Sequence, residues 1–237
     1  MEFTPNIHII PGITAHAYLL EDPDGLTLID TGIPGSAKAI LRYMKRVGYS
    51  PRDLNRILLT HADYDHAGSL AALKKATGAR VYASVSEARA LAGGHFPRSL
   101  KTDEFILKPL FWLAETLGRI SPAHVDEHLS DGQVLPVLGG LRALDTRGHT
   151  PGHISFFAPA RGILFSGDSI LSKNNTLVGS QGPVTWDQVQ ADASVIRQLS
   201  LNARIICSGH GSVLMDILGR LFPLQKEYSY APSRLIP

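Results

Sequence analysis

The stretch that decides the fold is Arg56-Ile57-Leu58-Leu59-Thr60-His61-Ala62-Asp63-Tyr64-Asp65-His66. Its first half is an apolar run typical of a buried β-strand. Directly after this run, four of six residues carry side chains that can bind a metal ion: His61, Asp63, Asp65 and His66. A solvated polar loop is the alternative, because His and Asp are common in loops. The pattern favours a metal site at the end of a strand.

Three further ligand-type residues each follow an apolar run and lie beside a glycine. They are His149 after LRALDT, Asp168 after GILFSG, and His210 after RIICS. Strand ends that carry such residues tend to converge on one site. We therefore predict one metal centre with seven candidate ligands: His61, Asp63, Asp65, His66, His149, Asp168 and His210.

The rest of the chain predicts alternating strands and helices. Residues 7–30 indicate a β-meander, 37–47 an amphipathic helix, 56–60 a strand, 66–77 a helix and 80–84 a strand. After residue 128, strands are predicted at QVLPV, LRALDT, ISFFA, GILFSGD and RIICS, with one helix begun by Thr185 and capped together with Gln188. Two blocks of this kind predict an α/β fold of two packed sheets with helices outside.

The chain is expected to form a single domain over 1–237, with a helical insertion at about 95–128. Within the insertion, Pro109 is expected to begin a helix. The insertion is either a lid over the site or an ordinary surface helix. As a lid, its residues Phe96, Phe105, Phe111 and Trp112 would favour a mainly apolar acyl substrate.

Composition and charge exclude several classes of protein. The net charge of +2 comes from 23 basic and 21 acidic residues without a basic run, so no nucleic-acid partner is expected. No apolar run approaches the ~18 residues of a membrane span, and no signal peptide is visible, so we expect a cytoplasmic protein without a membrane partner. The single cysteine, Cys207, cannot form an internal disulfide.

At this point the chain resembles the metallo-β-lactamase superfamily. The resemblance rests on residues 61–66, on the Asp30-Thr31-Gly32 turn, on the segment from Gly148 to His153, and on the positions of Asp168 and His210. It implies a four-layer αββα sandwich of two mixed β-sheets with helices on the outer faces. It also implies two divalent metal ions, the first bound by His61, Asp63 and His149, the second by Asp65, His66 and His210, with Asp168 bridging them.

Asp63 departs from this family's pattern, which has a histidine at that position. The additional carboxylate adds one negative charge and favours harder ions. The resemblance implies zinc as the expected metal, and Asp63 adds manganese or iron as alternatives. The flavodiiron proteins of the superfamily are similar in having an acidic residue here.

The resemblance implies a metal-dependent hydrolase. A hydroxide bridging two metals would attack an ester, thioester or lactone of a small-molecule acyl substrate, with Asp65 as the catalytic residue that orients it or accepts its proton. Gly167–Leu171 is similar to the glyoxalase II thioesterases, whereas Leu171 replaces a tyrosine of the homoserine-lactone hydrolases. A di-iron oxidoreductase, a phosphodiesterase or nuclease, and a non-catalytic member are the alternatives. The resemblance also leaves a homodimer open, and His153 is expected to support the site rather than bind metal.

Overall fold

The computed structural model describes residues 1–98 and 120–215. It divides into two compact units, Met1–Leu129 and Ser130–Pro237. The prediction of a single domain stays a prediction. The helix expected from Pro109 lies outside the described residues, as do three of the four aromatic residues of the insertion.

The first unit contains a seven-stranded mixed sheet whose strands follow chain order. Strands β1 to β4 are antiparallel, as the predicted meander requires, and β4 to β7 are parallel to one another. The bounds are β1 Glu2–Thr4, β2 Ile7–Ile9, β3 Tyr18–Asp22, β4 Gly25–Ile29, β5 Leu54–Leu58, β6 Arg80–Ala83 and β7 Glu127–His128.

Helices connect the parallel strands of this sheet and share one apolar core with it. Their bounds are α1 Ala37–Arg46, a 3-10 turn Pro51–Asp53, α2 Tyr64–Ala67, α3 Leu70–Thr77 and α4 Val85–Gly93. Ile40 and Met44 of α1 lie four residues apart on one face and are fully buried. They join Leu73 of α3, Leu91 of α4 and Leu28 of the sheet in one cluster.

The predicted helix over 66–77 is instead two helices, α2 and α3. At Gly68 a Cβ would lie 2.4 Å from Cδ of Pro34 and 2.3 Å from the carbonyl oxygen of Tyr64, so only glycine fits there. Ser69 then turns its hydroxyl away from its own helix, since it donates to the Ile33 carbonyl and accepts from the Ala37 amide. The break separates the short helix that carries Asp65 and His66 from the longer core helix.

The second unit contains a six-stranded mixed sheet in the order β15-β14-β11-β10-β9-β8, and a separate hairpin. The sheet strands are β8 Val134–Leu135, β9 Leu141–Asp145, β10 Ile154–Ala158, β11 Ile163–Gly167, β14 Ile205–Ser208 and β15 Leu214–Met215. The hairpin is β12 Ile170–Lys173 with β13 Thr176–Gly179. Among the described strands of this sheet, β11 and β14 pair in parallel and the other neighbours are antiparallel.

Helix α5 spans Gln188–Leu199 and packs Val195 and Leu199 against Leu164 and Ile206 of this sheet. The prediction that Thr185 begins the helix is wrong: the N-cap is Asp187, whose carboxylate accepts from the amide of residue 190. The helix begins only after Asp187, because Asp187 itself has an extended backbone with φ −143° and ψ 111°. The amides of residues 186 and 187 donate to the carbonyls of residues 149 and 148. Among the described helices, none has the length and apolar character needed to cross a bilayer.

Candidate metal centre

The first unit brings its candidate ligands to the carboxyl ends of neighbouring parallel strands. Asp30 directly follows β4, and His61 lies three residues after the end of β5. Because parallel strands end at the same edge of a sheet, both residues lie at that edge. Ile57, Leu58 and Leu59, which lead to His61, are fully buried and fix the strand that positions it.

Four predicted ligands of this unit come together there. Nε2 of His61 lies 3.6 Å from Oδ2 of Asp63, and Nε2 of His66 lies 4.0 Å from Oδ2 of Asp65. The His61 and His66 rings are tilted against each other with centroids 4.1 Å apart. Both imidazoles are fully buried. Atoms of the types that bind divalent metals are therefore gathered within one short segment.

Asp30 fixes the orientation of both histidines. Its carboxylate accepts hydrogen bonds from the Thr60 amide (2.9 Å), the Thr60 hydroxyl (2.8 Å) and Nδ1–H of His66 (2.8 Å). Since the Thr60 hydroxyl donates to Asp30, it accepts from Nδ1–H of His61, 2.9 Å away. Each ring therefore carries its proton on Nδ1 and offers the lone pair of Nε2, as a metal-binding histidine does.

The other two residues of the Asp30-Thr31-Gly32 turn hold the same histidine by its backbone. The amide and hydroxyl of Thr31 both donate to the carbonyl of His66, at 2.6 and 2.9 Å. Gly32 has a φ of +70°, and a Cβ there would lie 2.3 Å from Cγ2 of Ile13. The turn thus bonds to both the ring and the carbonyl of His66. Glycine is required at position 32 because the backbone there lies close to the Ile13 side chain.

Two buried charged residues near this loop were not predicted from the sequence. Arg98 donates to both carboxylate oxygens of Asp63, from Nη1 at 2.5 Å and Nη2 at 2.8 Å. Glu87 is fully buried and accepts from the amide of Ala62 at 2.8 Å. For Glu87 the spacing from Ser84 was a usable signal, because Ser-x-x-Glu marks a helix start. Arg98 had no comparable local signal.

The second unit gathers its three predicted ligands in the same manner. Strand β9 runs in the same direction as β11 and β14, because β9 and β11 are both antiparallel to β10. His149, Asp168 and His210 all follow the carboxyl ends of these three strands. Oδ2 of Asp168 lies 3.7 Å from Nε2 of His149 and 3.5 Å from Nε2 of His210. One carboxylate oxygen therefore faces two imidazole nitrogens.

Hydroxyl groups orient His149. Its Nδ1 lies 2.9 Å from the Ser180 hydroxyl, which lies 2.9 Å from the Thr185 hydroxyl. A proton on Nδ1 of His149 satisfies this series of hydrogen bonds, so Nε2 again carries the lone pair that can bind a metal. The role of Thr185 is thus to support His149 rather than to begin a helix.

His153 supports Asp168 instead of binding metal, in agreement with the sequence-based expectation. Its Nε2 accepts from the backbone amide of Asp168 at 3.1 Å, so its proton lies on Nδ1, which donates to the Thr146 hydroxyl at 2.9 Å. Both ring nitrogens are therefore used within the protein. Gly211, at φ +88°, allows the turn after His210, because a Cβ would lie 1.8 Å from the Ser172 carbonyl.

The donor sets fit a divalent metal ion. Three histidines, His61, His66 and His149, use Nδ1 for a hydrogen bond and present Nε2, and carboxylate oxygens lie within 4.0 Å of ligand-type nitrogens. Imidazole and carboxylate together suit zinc, and also manganese and iron. All seven predicted ligands lie in the described residues. The structure brings four of them together in the first unit and three in the second.

Comparison with known proteins identifies the family. A family model described as the metallo-beta-lactamase superfamily matches residues 11–210. The uncharacterized protein YobT of Bacillus subtilis is 30% identical over 208 residues, which are 84% of each chain. The hydroxyacylglutathione hydrolase GloC of Haemophilus influenzae is 28% identical over 220 residues, covering 87% of this chain and 91% of that protein. The chain therefore belongs to the metallo-β-lactamase superfamily, a superfamily of metallo-hydrolases.

The predicted fold class is confirmed. The structure of a metallo-beta-lactamase family protein from Thermus thermophilus is similar to this chain with a TM-score of 0.73 and 24% identity. The likeness covers 98% of this chain and 82% of that one. Two mixed sheets flanked by few helices are the elements that the sequence predicted.

Proposed function

We propose that this protein is a binuclear metal-dependent hydrolase that cleaves an ester, thioester or lactone of a small acyl compound. The observation that carries the proposal is the pair of ligand sets at strand ends, with the Nδ1 atoms of His61, His66 and His149 already engaged. Preorganised ligands are costly to maintain, because they bury polar groups, and they are typical of a site that holds metal.

In this proposal the two ligand sets share two divalent metal ions, with zinc as the expected metal. Following the family's pattern, His61, Asp63 and His149 would hold one ion, Asp65, His66 and His210 would hold the other, and Asp168 would serve both. The position of Asp168 supports the bridging role, because its Oδ2 lies near the Nε2 atoms assigned to both ions, 3.7 Å from His149 and 3.5 Å from His210.

When bound, the metals would supply an activated water and polarise the carbonyl of the substrate. The protein's own contribution is proton transfer and orientation. Asp65 is the best suited acid or base, since its side chain is 22% exposed, compared with 11% for Asp63 and 10% for Asp168. Asp63 is less available, because Arg98 donates to both its oxygens. Asp65 therefore orients the attacking water and accepts its proton.

A thioester is the substrate that we would test first. The relative GloC is named a hydroxyacylglutathione hydrolase and aligns with 87% of this chain. Gly167–Leu171 is also similar to the corresponding stretch of the glyoxalase II thioesterases. Lactones and simple esters belong in the same panel, because the same attack on a carbonyl carbon serves all three.

The test begins with protein purified without added metal. We expect elemental analysis to find about two zinc ions per chain, and we expect the same preparation to hydrolyse at least one of a thioester, an ester and a lactone. Asp65→Asn should lower kcat by about a hundredfold or more even when excess zinc keeps both ions bound, because it removes the proton acceptor. Asp168→Ala should lose metal and activity together.

The matched control is Asp24→Asn, which removes an exposed carboxylate of the first unit that pairs with Arg56. It should leave metal content and turnover unchanged. About two irons without hydrolysis would favour the oxidoreductase, and cleavage of a phosphodiester would favour the nuclease. Absence of bound metal from the wild-type chain would refute the proposal.

A further inference from the structure

A buried ion pair joins Asp63 of the ligand loop to Arg98. The two terminal nitrogens of Arg98 donate to the two oxygens of Asp63 in an end-on, bidentate contact. Both side chains are buried, with exposed fractions of 3% for Arg98 and 11% for Asp63. The planar guanidinium matches the carboxylate, and the two parallel hydrogen bonds make this a bidentate ion pair.

The charge of this pair matters because of where it lies. Asp63 holds the position at which the family's pattern has a histidine, which contributes no charge as a ligand. An ionised Asp63 alone would add one negative charge to the centre. Together, the carboxylate and the guanidinium have a net charge of zero. In electrostatic terms, the pair is therefore equivalent to the histidine that it replaces.

The contact also leaves Asp63 able to bind a metal. A carboxylate offers about four lone-pair directions, and Arg98 uses one on each oxygen. The remaining directions stay available, and the two parallel hydrogen bonds hold the carboxylate plane in one orientation. The same arginine can thus fix the ligand and cancel its charge.

We propose that Arg98 is a positioning residue that compensates the charge of Asp63 and so sets the metal affinity of the centre. The inference rests on the proposed function, because it concerns the same ligands. It predicts that removal of the positive charge tightens the binding of divalent ions, whereas a purely structural role predicts weaker binding. The two roles therefore differ in the sign of the effect.

The experiment measures the affinity of the full-length, metal-free chain for zinc by competition with a chromophoric chelator. Arg98→Gln leaves Asp63 uncompensated and should bind zinc at least about tenfold more tightly. Asp63→His leaves a buried, unpaired arginine beside the ion and should bind at least about tenfold more weakly. The double variant Asp63→His with Arg98→Gln should return to within about threefold of the wild type.

Two further variants control for folding and for non-specific charge effects. Arg98→Lys keeps the charge and should stay within about threefold of the wild-type affinity. Arg56→Gln removes another arginine of the first unit, one that pairs with Asp24, and should leave zinc affinity unchanged. Thermal unfolding of each metal-free variant shows whether it is folded before the titration.

The outcomes separate the two proposals. Weaker or unchanged zinc binding by Arg98→Gln, or wild-type binding by Asp63→His, would overturn the charge-compensation role while leaving the hydrolase proposal in place. If the wild-type chain binds no zinc, manganese or iron, the proposed function itself fails. Tighter zinc binding by Arg98→Gln, weaker binding by Asp63→His and restored binding by the double variant would support both proposals.

Discussion

Substitution of Asp30 by Asn tests the view that one buried carboxylate organises the metal loop. Asp30 is 2% exposed and accepts three hydrogen bonds, two at Oδ2 and one at Oδ1. An asparagine can place its oxygen where it keeps the bonds from the Thr60 hydroxyl and His66. Its NH₂ group then faces the Thr60 amide, and two donors oppose each other. Asparagine is a conservative replacement for Asp30, because it also tolerates the φ of +59° found at this position.

The expected loss of stability follows from the three hydrogen bonds that Asp30 accepts. Leaving a buried donor unsatisfied costs about 1–3 kcal/mol, and loss of charge assistance weakens each remaining bond by about 1 kcal/mol. We therefore expect Asp30→Asn to lower the free energy of unfolding of the metal-free chain by about 3–5 kcal/mol. Zinc affinity should fall by about 10- to 100-fold, because the bonds that orient both histidines lose their charge assistance.

Urea unfolding followed by far-UV circular dichroism measures the first effect, and chelator competition measures the second. The exposed Asp24 provides the control, since Asp24→Asn breaks a surface ion pair and should cost at most about 1 kcal/mol. A stability of Asp30→Asn within about 1 kcal/mol of the wild type would refute the organising role of this carboxylate. Unchanged zinc affinity in a destabilised variant would instead show that Asp30 has a structural role only.

Three other predictions concern the second unit. Gly148→Ala should destabilise the chain by about 3 kcal/mol or more, because the new Cβ would lie 2.2 Å from a backbone nitrogen of α5. Gly132→Ala, at a φ of +78° with open space around it, should cost about 1–2 kcal/mol, and urea unfolding compares the two variants. Ser180→Ala removes the partner of Nδ1 of His149 and should weaken zinc binding by about tenfold, and an unchanged chelator titration would contradict this role. Burial raises the pKa of the Cys207 thiol well above its ordinary value, so a thiol reagent should label the chain only after denaturation; prompt labelling of the native chain would show the thiol to be accessible.

The candidate ligands could be located from the sequence because their signals are local. His61, Asp168 and His210 lie within three residues of the ends of β5, β11 and β14. The alternation of strands and helices was likewise visible, and β6 and β10 have nearly the bounds predicted for them. The strand before His61 begins and ends two residues earlier than predicted, at Leu54 and Leu58.

Some elements were missed or misplaced, one because it depends on a distant residue and others despite a local signal. The break at Gly68 is caused by Pro34, which is 34 positions away in the chain. The hairpin β12–β13 was not predicted, although Asn174 and Asn175, both at positive φ, are typical of a tight hairpin turn. Helix α4 was overlooked despite the Ser84 cap at its start.

The consequence of Asp63 shows why a motif alone did not determine the chemistry of the centre. Read along the chain, an aspartate in place of a histidine adds one negative charge and favours harder metal ions. The fold places Arg98, 35 residues later, against both oxygens of that carboxylate and thereby cancels the added charge. An expectation about metal preference must therefore count the groups that contact the ligands as well as the ligands themselves. With that pair counted as neutral, the centre has the charge of the family's ordinary ligand set, and zinc is the metal to expect.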